Sequence, residues 1–414
     1  MRTILHVDLN NFYASVECLY RPEIRNFPVA VCGDPLNRHG IILAKNMLAK
    51  KMSVTTGEAI WQAKLKVPDL ILVPPDFQKY LRFSRLARKI YYHYTDQVEP
   101  FGIDECWLDV TGSVKLFGDG EKIAETIRQR IKEELGVTVS IGVSFNKIFA
   151  KLGSDLKKPD AITVISADNY KNIVWSLPVE DLLYVGRSTS KKLHNYGLDT
   201  IGKLARVDKK VLTDNLGKWG EVLWLFANGL DTAPVRKTDE STAVKSIGNS
   251  TTCPRDLVNN EDVRLVFTVL AESVAARLRD YGLKCTGIQI SLRDNQLYSA
   301  TRQGLLTKPS YLSADIINKA MELFLANYNW FHPLRSVGIR AINLVTEKDH
   351  VQLALFDDID EKTREQESLS HTIDAIHSRF GHGSLMRASC LLDSRLTGFN
   401  PKEDHVIHPV GYFK

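Results

Sequence analysis

Apolar residues fall in short runs along the chain, and their spacing predicts the elements. RTILHVDL predicts a first strand ending at Asp8, followed by a helix with apolar spacing through FYASVECLY. Pro22 and Pro28 end that helical region, and FPVAVCG predicts a second strand. The polar, glycine-bearing turn DPLNRHG leads to GIILAKNMLAKKM, a strand running into a helix, and VPPD closes a small subdomain over residues 28–75. An amphipathic helix is expected at 79–95, carrying Arg82, Arg85, Arg88 and Lys89. Then come strands flanking Asp104 and Glu105, a helix at 120–135, the strand VTVSIGVS, the basic helix NKIFAKLGSDLKKP and the strand AITVI. This order predicts an α+β sheet with helices on one face.

Within it, FGIDECWLDV sets two carboxylates, Asp104 and Glu105, side by side in an apolar run. Burying unpaired neighbouring charges is costly, so the pair is either an ordinary exposed turn or a hairpin tip where cations meet both. The predicted sheet brings Asp8 beside that hairpin. Three carboxylates at adjacent strand ends make a divalent-ion site plausible.

Beyond residue 166 the pattern changes. Residues 167–232 are short helices separated by glycine turns, as in VGRSTSKKLHNYGLDTIGKL, either a device that points backbone N–H groups at a nucleic-acid backbone without reading sequence or the ordinary αα-hairpins of any helical domain. APVRKTDESTAV predicts an exposed linker over 233–243. A strand at 244–252, a helix at 261–281, a strand pair at 284–304, a helix at 313–327 and a strand at 335–345 spell β-α-β-β-α-β. Lys245, Arg293, Arg302 and Lys308 lie on or near those strands, where an open sheet face tracks phosphates or is simply solvated.

A chain of 414 residues exceeds one core, so two to four domains are expected. The net charge of +5 divides into +9 for residues 1–345 and −4 for 346–414. A basic body fits a polyanionic partner. The cysteines at 18, 32, 106, 253, 285 and 390 form no CxxC pair, which excludes the usual zinc spacings and points to a reducing cytoplasm. No apolar run is long enough to span a membrane, and MRTILHVDL is too short and acidic for a signal peptide.

HVDLNNFYASVE, GIDECWLD and SIGVSFNKIFAKLGSDLKKPDAI together resemble the Y-family, or lesion-bypass, DNA polymerases, from residue 1 to about 345. The resemblance implies a polymerase right hand: palm at 1–27 and 76–166, fingers at 28–75, thumb at 167–232 and little finger at 244–345. It also implies low-fidelity, template-directed synthesis on primer-template DNA from deoxynucleoside triphosphates, by a monomer using two Mg2+ ions. Asp8, Asp104, Glu105 and the Leu9 carbonyl match the metal ligands, Tyr13 the aromatic gate against ribose, and Lys50 and Lys158 the triphosphate grip. Gly186 matches a thumb-hairpin glycine at the DNA backbone, although Tyr184 stands where another glycine is usual. Gly102 replaces a frequent serine, and Met47 and Lys50 replace a frequent tyrosine and arginine. Met47 donates no hydrogen bond, so Lys45 is the nearest substitute.

QLALFDD, residues 352–358, opens the acidic region 346–414. Gln352, Leu353, Leu355 and Phe356 resemble the peptide that bacterial polymerases insert into the sliding clamp; the competing reading is the start of a packed C-terminal helix. A silent DNA-binding scaffold needs no ion site. A nucleotide cyclase, whose core also pairs carboxylates on a hairpin, has no use for a thumb or for QLALF.

Overall fold

A computed structural model describes residues 1–34, 40–238, 240, 243–346 and 361–401. They form two compact units, the first running through residue 240 and the second over 243–401.

The first unit opens with β1 (Ile4–Leu9), buried throughout, and α1 (Phe12–Tyr20). A small three-stranded sheet follows, built from β2 (Val29–Cys32), β3 (Ile42–Lys45) and β4 (Ile71–Val73) in the order β3-β2-β4. It carries α2 (Met47–Lys51), capped by the Asn46 side chain, and α3 (Ile60–Lys66). The chain returns through α4 (Phe77–Tyr92), β5 (Val98–Pro100), β6 (Glu105–Asp109), α5 (Val114–Phe117) and α6 (Gly120–Leu135). It continues into β7 (Val139–Ser144), α7 (Lys147–Leu156) and β8 (Ile162–Ile165). These strands make a five-stranded sheet, β5-β6-β1-β7-β8, with β7 and β8 parallel across the α7 connection.

Side chains alternate along β1, so its two faces differ. Leu5, Val7 and Leu9 enter a core with Ile90 and Tyr91 of α4 and Ile123, Ile127 and Ile131 of α6. Ile4, His6 and Asp8 face the other way, toward α7. Helices therefore cover both faces, not one as the order of elements suggested. Gly142 makes the second layer possible: a Cβ there would overlap the Ala150 carbonyl oxygen and lie 2.6 Å from the Ser154 nitrogen. The outer side of α7, through Ile148, Phe149 and Leu152, joins the core of the next helices. These are α8 (Tyr170–Val174), α9 (Arg187–Asn195), α10 (Ile201–Arg206), α11 (Lys209–Leu216) and α12 (Lys218–Ala227).

The expected exposed linker is not free at its start. Arg2 donates to the carbonyls of Asp231, Thr232 and Ala233, Val235 is buried, and Thr238 donates to the Asp96 carbonyl. Glu99 of β5 accepts from the Arg236 amide and ion-pairs with Lys147 at 2.6 Å and Arg236 at 3.0 Å. A buried carboxylate needs such partners, and the strap supplies one of them.

The second unit follows the expected β-α-β-β-α-β order: β9 (Ile247–Leu257), α13 (Asn260–Asp280), β10 (Leu283–Asp294), β11 (Ser299–Ser310), α14 (Ser313–Asn327) and β12 (Leu334–Thr346). Its sheet order is β11-β10-β12-β9, with both helices packed on one face. Over 361–401 the acidic C-terminal region packs on this unit. There α15 (Glu361–Phe380) is fastened by Asp374 to Arg279 and by Glu367 to Lys284, and α16 (Ser394–Thr397) buries Leu396 in the same core. The peptide Gln352, Leu353, Leu355 and Phe356 lies outside the described residues.

Candidate active site

Antiparallel register places Asp8 directly opposite Glu105, and the Leu9 amide donates to the Asp104 carbonyl, tying β1 to the bend before β6. The three sequence-predicted carboxylates are thus brought together at one end of the sheet. Cations come from beneath, on the face of α7. Lys151 holds Glu105 Oε2 at 2.6 Å, and Lys158, just past the helix, holds Asp8 Oδ2 at 2.6 Å and Asp155 at 2.8 Å. His6, buried and neighbouring Asp8 on the same face, reaches Glu105 Oε2 at 3.3 Å.

These contacts divide the acidic groups. Burial would raise Glu105, but the His6 and Lys151 contacts prevail and hold it down at about 2. Asp8 is pushed up to about 7 by burial and by facing Glu105, against the pull of Lys158. Asp104 rises to about 6, again through burial and its neighbour Glu105. Among the described residues no three acidic, histidine or cysteine groups converge as a finished coordination shell. The donor set nevertheless fits a hard divalent cation: the raised carboxylates are oxygen ligands still short of positive charge.

Tyr13 stands at the start of α1 with its ring stacked on Tyr80 at 4.2 Å and edge-on to Phe77 at 5.9 Å. Burial, with the nearby charge of Asp104, raises its phenol to about 12. The ring is fixed beside the carboxylates before any substrate arrives. In the small sheet, Lys45 bonds Thr56 Oγ1 at 2.8 Å, and burial and the approach of Lys50 lower its pKa. Lys158 is engaged with two carboxylates rather than open to a phosphate.

Gly186 is the N-cap of α9, exposed and extended at φ −83°, and a Cβ there would meet nothing within 4 Å. The glycine-like position is Tyr184, at φ 69°, whose ring lies edge-on to Trp219 at 5.7 Å. In the second unit Lys245 is exposed ahead of β9 and Arg293 lies on the open sheet face. Arg302 does not. Its cross-strand partner is the buried Ile290, so it sits on the helix side and donates to Asn327 of α14. Lys308 likewise turns to Thr363 of α15. Arg340, paired with Gln289, is the exposed open-face cation that sequence reasoning missed.

The impB/mucB/samB family model matches residues 7–155, its C-terminal domain model residues 244–355, and the thumb-domain model of DNA polymerase-iota residues 180–231. DNA polymerase IV of Acetivibrio thermocellus is 54% identical over 395 residues, covering 95% of this chain and 99% of the relative. The chain belongs to the Y-family of DNA polymerases. DNA polymerase IV 2 of Bacillus subtilis is 36% identical over 397 residues, covering 94% of this chain and 95% of that one. The fold is also that of a solved Y-family chimera, with a TM-score of 0.73 at 23% identity over 83% of this chain and 99% of that one. As a Y-family member it is a DNA-directed DNA polymerase of translesion type, with DNA and deoxynucleotides as substrates. Among the described residues no helix is long and apolar enough to cross a membrane.

Proposed function

We propose that the chain extends a primer 3′ end at the Asp8, Asp104 and Glu105 cluster, using two magnesium ions, and that the five-stranded sheet is the palm. The small sheet is then the fingers, α8 to α12 the thumb and the β9 to β12 sheet the little finger. The observation that carries this is the cross-strand pairing of Asp8 with Glu105, with Asp104 in the adjoining bend. Asp8, Asp104, Glu105 and the Leu9 carbonyl would hold the ions. Bound there, such ions activate the primer hydroxyl and stabilise the departing pyrophosphate. Lys158, ion-paired with Asp8, would offer its ammonium at the edge of the cluster to a triphosphate oxygen. Lys45 and Lys50 supply further point charges. Gly186 and the α9 N-terminus, with Lys245, Arg293 and Arg340, meet DNA phosphates. Extension of a primed template in magnesium, on intact and lesion-bearing strands, tests the assignment; an untemplated or cyclic product would overturn it.

Two expected outcomes refine the reading. Tyr13→Ala removes bulk held in place by Tyr80 and Phe77, so ribonucleotide incorporation should rise by at least about tenfold relative to deoxynucleotide, a change near 1.4 kcal/mol. Unchanged sugar discrimination in single-nucleotide kinetics would move the gate to another residue, with Phe12 first. Replacing Leu355 and Phe356 together with alanine should leave clamp-free extension intact and remove stimulation by a sliding clamp, since a few apolar anchors dominate such contacts. Loss of clamp-free activity or of thermal stability would instead place those residues in the protein core.

A further inference from the structure

We propose that Ser84 and Arg88 of α4 are positioning residues for Asp104, holding the carbonyls of the bend that carries it. This rests on the assignment of Asp104 to the polymerase site. Between β5 and β6 the chain bends through residues 101–104, with Gly102 at φ 96°, a left-handed conformation that glycine adopts without strain. Backbone in such a bend has no strand ladder to take its carbonyls, so each needs a partner from elsewhere. Three successive carbonyls have one. That of Gly102 accepts from Arg88 Nη2 at 3.4 Å, that of Ile103 from the Ser84 hydroxyl, and that of Asp104 from the Leu9 amide at 3.1 Å. The Phe101 amide closes the turn by donating to the Glu105 carbonyl at 2.9 Å.

Two of these three supports come from one face of α4, four residues apart. Ser84 is buried, and its hydroxyl reaches across to the bend. Thr126, Thr268 and Thr372 instead turn back to the carbonyl four residues earlier in their own helices. A hydroxyl has one proton, so the bond to Ile103 excludes that local alternative for Ser84. The Ile103 side chain enters the same core as Ile90 and Tyr91 of α4. Asp104 therefore leaves a backbone fixed on both sides, by Ser84 before it and by Leu9 after it. The same helix face supports the proposed sugar gate. Tyr80, one turn before Ser84, stacks on Tyr13 and donates to Glu17 Oε1 at 2.8 Å. About 6 Å of helix axis separates Tyr80 from Ser84. One helix thus sets the spacing between Tyr13 and Asp104, with Ser84 and Arg88 acting through the backbone of the bend.

The test begins with hydrogen exchange in the metal-free enzyme. In Ser84→Ala the Phe101 and Leu9 amides, which bond to the bend, should exchange about tenfold faster, the change expected from one lost hydrogen bond. Amides within α4 should exchange as in wild type. The kcat for single-nucleotide incorporation should fall by about 10–100-fold, the range for groups behind a metal ligand, with KM for the deoxynucleotide changed far less. Selection between ribonucleotides and deoxynucleotides should stay that of wild type, because Tyr80 still holds Tyr13. A displaced α4 would disturb both supports, so altered sugar selection or faster exchange throughout α4 overturns the proposal. Arg88→Met keeps the length of the side chain and removes its hydrogen bond. It should give the same pattern with a kcat loss below about tenfold, since that bond is long, and it carries the test if Ser84→Ala fails to fold. Wild-type exchange and kcat in either variant overturns the role of that residue. If Asp104→Ala itself extends primers normally, it is the site assignment that fails.

Discussion

Asp104→Ala abolishes templated extension while DNA binding survives. The expected loss exceeds about 100-fold, the upper figure for removing a group that merely supports a metal ligand, because the proposed function makes Asp104 a ligand itself. DNA affinity should stay within a few-fold of wild type. On the proposed assignment it is spread over phosphate contacts of α8 to α12 and the β9–β12 sheet, far more numerous than one carboxylate, and it should fall steeply with salt. Single-turnover extension beside a binding titration at two salt concentrations separates the two quantities. A variant that extends primers at near the wild-type rate would return the Asp104–Glu105 pair to an exposed turn with no catalytic part.

Gly142→Ala should be the most destabilising single methyl group in the first unit. The added carbon would overlap a backbone oxygen, that of Ala150, and helical backbone cannot rotate aside as a side chain does. The cost should reach the upper end of the usual overpacking range, about 3 kcal/mol. It would appear as a lowered melting midpoint and, because α7 carries Lys151 and Ser154, as lost activity in whatever remains folded. Gly186→Ala is the control, with open space around its Cβ, and its melting should stay within about 0.5 kcal/mol of wild type. Equal melting of Gly142→Ala and wild type would mean that α7 does not press on β7 as described.

Much of this architecture was legible in the chain. The strands, the split β-α-β-β-α-β unit and the meeting of Asp8 with Glu105 follow from local pattern and hairpin pairing, which act over short stretches. What stayed hidden depends on which way a side chain points. The layer formed by α7 on the second face is signalled only by Gly142 and by His6 and Asp8 sharing one side of ILHVDL. Arg302 is legible as a strand cation, but its face is set by the pairing register, which puts it opposite Ile290 on the helix side. The stretch 233–238 reads as polar linker until Glu99, a lone acid in β5, is found to need Arg236 and Lys147. That is the same puzzle of a charge in a buried strand posed by Asp104 and Glu105, answered there by a structural triad.

The packing of α15 and α16 bears on how the chain is made. Every described strand and helix of the first unit is encoded before residue 240, so those elements are free to fold while synthesis continues. The second unit is not, although its sheet is complete at Thr346. Leu396 belongs to its core, and Asp393 and Asp374 neutralise Arg255 and Arg279 on the earlier elements. Until the ribosome releases those late residues, the β9–β12 unit has an unfinished core and two arginines without these partners. A stalled or prematurely terminated nascent chain should therefore carry a folded first unit and a protease-sensitive second one.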